Sequence, residues 1–202
     1  VPRTEKLFAE PEYFKRGLLG ATQQVYVRES VAARLQSASE QLPDGVRLRV
    51  SDGYRPLQIQ QQLWDEVYAS ARLRHPDWSA DALHEFTARF VALPQNRPDR
   101  PPPHLTGGAV DVCLTTMDGT ELDMGSDFDG EGESAMTAAF ESQPESVAAK
   151  NRRLLYHTMI SAGFANYPNE WWHYEWGTLR WALHYGAGCA VFGGIPEWPT
   201  TS

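Results

Sequence analysis

Two hydrophobic spacings divide the chain. Val46-Arg-Leu-Arg-Val50 switches between apolar and charged residues at every step, the period of a half-buried strand. Ala109–Thr116 does the same, with Val110, Val112 and Leu114 on one face and Asp111 and Cys113 on the other. Asp118-Gly119 then signals a hairpin turn, and residues 120–124 read as the returning strand. Residues 164–167 read as a short strand or loop, and residues 170–176 as an aromatic strand.

Helical spacing occupies longer runs. Residues 27–42 place Val31, Leu35 and Leu42 on one side, and Pro43-Asp-Gly45 stops the run. Pro56 opens a helix over 57–73 whose face carries Gln60, Leu63, Trp64, Val67 and Ala71. Ser79 is an N-cap for a helix over 80–91, with Asp81 in its first turn. Residues 145–162 turn Leu155 and Met159 inward, and Gly163 suits the C-terminal stop. The tail, 179–198, reads as a short helix and packed coil.

Between these runs lie an irregular N-terminal arm (1–24), a Pro-rich loop (94–103) that leads straight into His104, and a Gly/Asp-rich loop (125–132). Helices and hairpins mix without regular βαβ alternation, so the expected class is α+β. We expect a single domain over 1–202, with helices packed on a small antiparallel-type sheet.

Composition narrows the picture. The 202 residues carry a net charge of −8, and the basic residues are scattered, which argues against nucleic acid as a partner. Two cysteines make no disulfide framework. Cys113 reads as a small core residue, and a bridge to Cys189 has no support in the sequence. No run of ~18 apolar residues suggests a membrane span. The start at Val1 lacks both Met and an apolar signal region. We expect a cytoplasmic protein, with the periplasm open if a leader has been removed.

The candidate chemistry sits in two segments. His104 and Asp111 flank Gly107-Gly108, which let the chain bend so that both side chains converge. Glu170 precedes His173 by three residues. Together they supply three metal ligands and a spare carboxylate, the requirement of a catalytic zinc site. His75, His84, His157 and His184 lack such surroundings. A fully extended chain would send Glu170 and His173 to opposite faces, so a bulge or tight turn is expected at Trp171-Trp172.

Four motifs occur in order: Ser51-Asp-Gly-Tyr-Arg-Pro56, His104-Leu-Thr-Gly-Gly-Ala-Val-Asp111, Met124-Gly-Ser-Asp-Phe-Asp129 and Glu170-Trp-Trp-His173. From Val27 to Trp176 the chain resembles the D-alanyl-D-alanine dipeptidases of the VanX type, zinc enzymes of the D-Ala-D-Ala metallopeptidase and hedgehog-like fold. The resemblance implies His104, Asp111 and His173 as zinc ligands and Glu170 as general base. It implies Arg55 as oxyanion donor and Asp129 as the carboxylate that receives the substrate amine, with Asp127 a nearby competitor. Tyr54, Thr106 and Trp172 are further expected substrate contacts. The implied reaction is hydrolysis of D-Ala-D-Ala to D-alanine, in cell-wall dipeptide turnover or glycopeptide resistance.

The chain also departs from that pattern. Pro102 stands where the family commonly has a substrate-contacting Ser, for which Thr106 would substitute. The arm's substrate-holding Tyr has no clear counterpart, and Phe8 is the candidate for its place. Residues 74–102 read as an inserted wall or lid. Two rival readings stay open: a D,D- or L,D-carboxypeptidase acting on longer peptidoglycan stems, and a non-catalytic zinc module.

Overall fold

A computed structural model describes residues 1–130 and 132–196. Its sheet is ordered β1 (Leu7–Ala9), β2 (Val46–Asp52), β3 (Ala109–Thr116), β5 (His173–Glu175), β4 (Ala165–Asn166). The β2–β3, β3–β5 and β5–β4 pairs are antiparallel, as expected, but β1 runs parallel to β2, so the sheet is mixed. The arm is therefore not irregular throughout. It supplies an edge strand and then the short helix α1 (Glu12–Lys15). Three residues are too few to show a period, and the partner strand provides the backbone bonds. Parallel pairing needs a long crossover, supplied by the segment that contains α2 (Glu29–Glu40).

One face of the sheet carries the main core. Leu48 and Val50 of β2 and Val110, Val112 and Leu114 of β3 pack with Val31 and Leu35 of α2 and with Leu155 and Met159 of α5 (Val147–Ser161). The Ser146 hydroxyl accepts from Ala149 N and starts α5, and Gly163 follows its end at φ +88°. A smaller cluster joins Tyr13 of α1 to Ile59, Leu63 and Trp64 of α3 (Leu57–Arg74) and to Val91.

Helix α4 (Ala80–Thr87) is capped by Ser79 as expected but stops short of Val91. The Thr87 hydroxyl donates back to the Leu83 carbonyl, and the next residues turn so that Val91 joins the α3 cluster. The returning strand expected at 120–124 shrinks to a single bridge, Thr115–Glu121. That edge of β3 is shared: β5 and the Trp172 carbonyl take its first half, leaving only Leu114 and Thr116 for the return. Of the tail, α6 (Leu179–Tyr185) and coil to residue 196 are described; residues 197–198, and residue 131 of the Gly/Asp-rich loop, lie outside the described residues. Both cysteines are free, Cys113 buried and Cys189 exposed. No helix of the described residues is long and apolar enough to cross a membrane.

Candidate active site

The register of three strands builds the site. Asp111 on β3 is paired with Asp52 on β2 and with His173 on β5, so the three form one row on the face opposite the main core. A bulge between Val50 and Asp52 brings Asp52, rather than Ser51, opposite Asp111. His104 arrives from a tight 3₁₀ turn, His104–Thr106, which ends on Gly107 at φ +68°. The expected irregularity is also present. Residues 171–172 form a turn, and only His173–Glu175 is strand, so Glu170 and His173 approach the same centre. Trp171 anchors that turn, buried in the core with its indole N–H donating to Ser126 Oγ.

Three donor atoms meet at this centre. His104 Nε2 lies 3.1 Å from His173 Nδ1 and 3.4 Å from Asp111 Oδ1, and the last two are 3.0 Å apart. Ligands of a tetrahedral zinc at its usual bond lengths are separated by roughly 3.3–3.4 Å, so the triangle fits such an ion with slight expansion. The outer nitrogens fix both rings. His104 Nδ1 donates to the Gly53 carbonyl at 2.8 Å, and His173 Nε2 donates to Glu175 Oε1 at 3.0 Å. Each imidazole therefore turns a lone pair inward. Two lone pairs and a carboxylate oxygen that converge on one point are the donor set of a divalent cation. Among the described residues His104, Asp111 and His173 are the one group placed to hold a metal, and all three are buried.

Charge around the centre is strongly perturbed. Burial pushes Glu170 up to about 8, and its Oε2 lies 3.8 Å from His173 Nδ1. Burial likewise pushes Asp129 up to about 7, although 31 % of its side chain is open to the cavity. Burial also works to raise Asp111, but His104 and His173 outweigh it and hold this carboxyl well below its usual range. Such opposed shifts within one cleft are characteristic of a reactive site.

Arg55 is the hub beside the metal position. It donates to Asp52 Oδ2, Gln60 Oε1, the Tyr13 hydroxyl and Asp111 Oδ2 at 2.8–3.1 Å. Four of a guanidinium's five N–H groups are thus engaged, and one remains for a substrate oxygen. The Tyr13 hydroxyl accepts from Arg55 and donates to Asp129 Oδ2 at 3.0 Å. Tyr13, not Phe8, is thus the aromatic residue that the arm brings to the site. Phe8 lies instead beneath the Arg47 guanidinium.

Two other expectations are corrected. Tyr54 does not line the cavity, because its hydroxyl donates to the Ile195 carbonyl and ties the loop to the C-terminal coil. Thr106 lines the wall, but its single proton goes to the Pro103 carbonyl and its oxygen accepts from Gly108 N. That hydroxyl closes the turn behind His104 and has no proton left for a substrate. Trp172 does face the cavity, packed near Phe128. The cavity measures about 1040 Å³, and residues 88–93 and 97–103 form one wall.

A family profile described as "Peptidase_M15: D-ala-D-ala dipeptidase" matches residues 12–185. The chain belongs to this family. A D-alanyl-D-alanine dipeptidase of Synechocystis sp. is 31% identical to the peptidase over 179 residues, covering 79% of this chain and 72% of that protein. The Escherichia coli D-alanyl-D-alanine dipeptidase is 30% identical over 148 residues, covering 73% and 64%. Among solved structures, a mutant of the vancomycin resistance D,D-pentapeptidase VanY in complex with Zn(II) superposes with a TM-score of 0.50 at 21% identity. The match covers 82% of the peptidase and 81% of that chain, and it supports the α+β fold.

Besides Tyr13, three contributors to the site have no part assigned from the sequence. Asp52 lay within a recognised motif without an assigned part, Gln60 read as a helix-face residue, and Glu175 read as one more strand position. The signal for Glu175 was available, because a carboxylate two residues after His173 on a strand must share its face.

Proposed function

We propose that the peptidase is a zinc-dependent dipeptidase that hydrolyses D-Ala-D-Ala. The observation that carries this reading is the donor triangle of His104, Asp111 and His173, with Glu170 at its edge and Asp129 held nearby by Tyr13. Zinc held there supplies a Lewis acid, which brings the pKa of water toward neutrality and draws charge from a carbonyl oxygen.

The chain's own residues do the rest. Glu170, whose Oε2 stands beside the ligand His173, takes the proton from the attacking water and returns it to the leaving amine. The remaining N–H of Arg55 stabilises the carbonyl oxygen as charge develops, and Asp52, Asp111 and Gln60 keep the guanidinium in place. Asp129, with Tyr13 and Arg16 at its oxygens, receives the substrate's ammonium group. A carboxylate at that point favours free dipeptides over peptides extended at the N-terminus, and D-Ala-D-Ala is the substrate named for the family and its relatives.

The cavity volume favours a second reading. Pockets of ~300–1,000 Å³ hold drug-sized ligands, so about 1040 Å³ leaves room for a longer stem peptide under carboxypeptidase action. One comparison decides between the two. The zinc-loaded enzyme should release D-alanine from D-Ala-D-Ala much faster than from its N-acetyl form. Glu170→Ala should retain zinc and lose activity roughly 10²–10⁴-fold. Equal rates on the acetylated substrate would favour the carboxypeptidase, and full activity of Glu170→Ala would refute the mechanism.

A further inference from the structure

The wall that leads to His104 is Pro101-Pro102-Pro103, which offers no backbone N–H and no side-chain donor to the cavity. A peptide with a free C-terminus must find its carboxylate partner elsewhere. Of the arginines that line the cavity, Arg16 and Arg55 are paired with inner carboxylates, Arg97 pairs with Asp99, and Arg89 and Arg100 stand on exposed segments. Arg180 is different. Its Nε donates to Glu175 Oε1 at 2.9 Å, the same oxygen that takes the His173 Nε2 proton at 3.0 Å. Its guanidinium also lies 4.1 Å from the centre of the Tyr167 ring. The Nε edge and one face are thus fixed, one residue removed from a metal-facing histidine. The two terminal nitrogens make no bond to the described protein, and the side chain is 41 % exposed on the cavity wall. A fork held this way is preorganised for a carboxylate.

We infer that Arg180 binds the free C-terminal carboxylate of the peptide substrate through its two terminal nitrogens. This rests on the peptidase reading above. With Asp129 taking the ammonium group, the site recognises both ends of a zwitterionic dipeptide. The scissile carbonyl and the terminal carboxyl of a dipeptide are about 3.8 Å apart, one residue step, so a carboxylate partner must stand close to the metal ligands. Arg180 lines the same cavity as the three ligands and is joined to His173 through Glu175.

The test is equilibrium binding of D-Ala-D-Ala and of its C-terminal amide, by calorimetry, to zinc-loaded enzyme carrying Glu170→Ala, alone and combined with Arg180→Gln or Arg180→Lys. With Arg180 present, the acid should bind roughly 10–100-fold more tightly than the amide. Arg180→Gln should bring that ratio to within about threefold of unity, with Arg180→Lys, which keeps a charge beside Glu175, in between. If Arg180→Gln loses zinc, the Arg180→Lys ratio decides. An unchanged ratio in the variants, no preference for the acid when Arg180 is present, or no binding of either compound overturns the inference. Failure of the catalytic reading shows separately, as absence of D-Ala-D-Ala hydrolysis by enzyme with Glu170 intact.

Discussion

Glu175→Gln tests the site through a residue that does not touch the metal. Glu175 is 1 % exposed and accepts from His173 Nε2, from Arg180 Nε and from the Thr178 hydroxyl. Glutamine keeps the volume but has one acceptor oxygen in place of two. If its amide takes the place of Oε1, its N–H opposes both His173 Nε2 and Arg180 Nε and forces the imidazole proton to Nδ1, where the metal should bind. If its oxygen takes that place, both donors keep an acceptor and the amide faces the Thr178 hydroxyl, but the charge that strengthens the His173 Nε2–H bond is lost. Loss of such an outer partner typically costs 10–100-fold in metal affinity, about 1.4–2.7 kcal/mol. At saturating zinc the metal's stabilisation of the fold falls by the same amount. A domain of this size shifts about 2–4 °C per kcal/mol, so the zinc-induced rise in Tm should shrink by roughly 3–11 °C. Competition against a chromophoric chelator gives the affinity, and melts with and without zinc give the shift. Zinc affinity within threefold of the parent would show that Glu175 does not orient His173.

Two further predictions address the frame. At Gly53 an added Cβ would run into the Tyr26 carbonyl and meet Val25 and Val27 at 2.8 Å, while the Gly53 carbonyl holds His104; Gly53→Ala should cost about 1–3 kcal/mol in urea unfolding and weaken zinc binding, and a neutral result would refute the close packing. Burial raises the Glu170 pKa to about 8 in the metal-free protein, so its ionisation opposes folding. Its contribution is favourable below the unfolded value of about 4.3 and is lost as pH rises through about 8. Glu170→Gln should therefore stabilise the chelator-treated protein at pH 9 by on the order of 1 kcal/mol or more and do little at pH 4. Equal effects at both pH values would contradict the burial.

The sequence carried the site better than its surroundings. β3 was legible to the residue because one face packs on helices and the other bears the site, which enforces strict alternation. Ser79 and Gly163 marked helix ends because capping is local chemistry. β1 was invisible because its pairing is long-range and three residues have no period. The shortening of the 120–124 return depended on β5, which competes for the same edge from fifty residues away. Tyr54 and Thr106 had the right chemistry within the right motifs, but their hydroxyls were committed elsewhere, to Ile195 and Pro103. Hydroxyl partners of that kind emerge only after tertiary contacts form.

The edge strand β1 has a consequence for how the enzyme reports on itself. Its short parallel pairing holds the segment that delivers Tyr13, and through Tyr13 it is joined to Asp129. Short edge pairings open at lower free energy than a core. An ammonium group seated at Asp129 would clamp this segment shut from inside the cavity. Amide hydrogen exchange at Leu7–Ala9 should then slow as the site fills, which makes the beginning of the chain a gauge of occupancy at its centre.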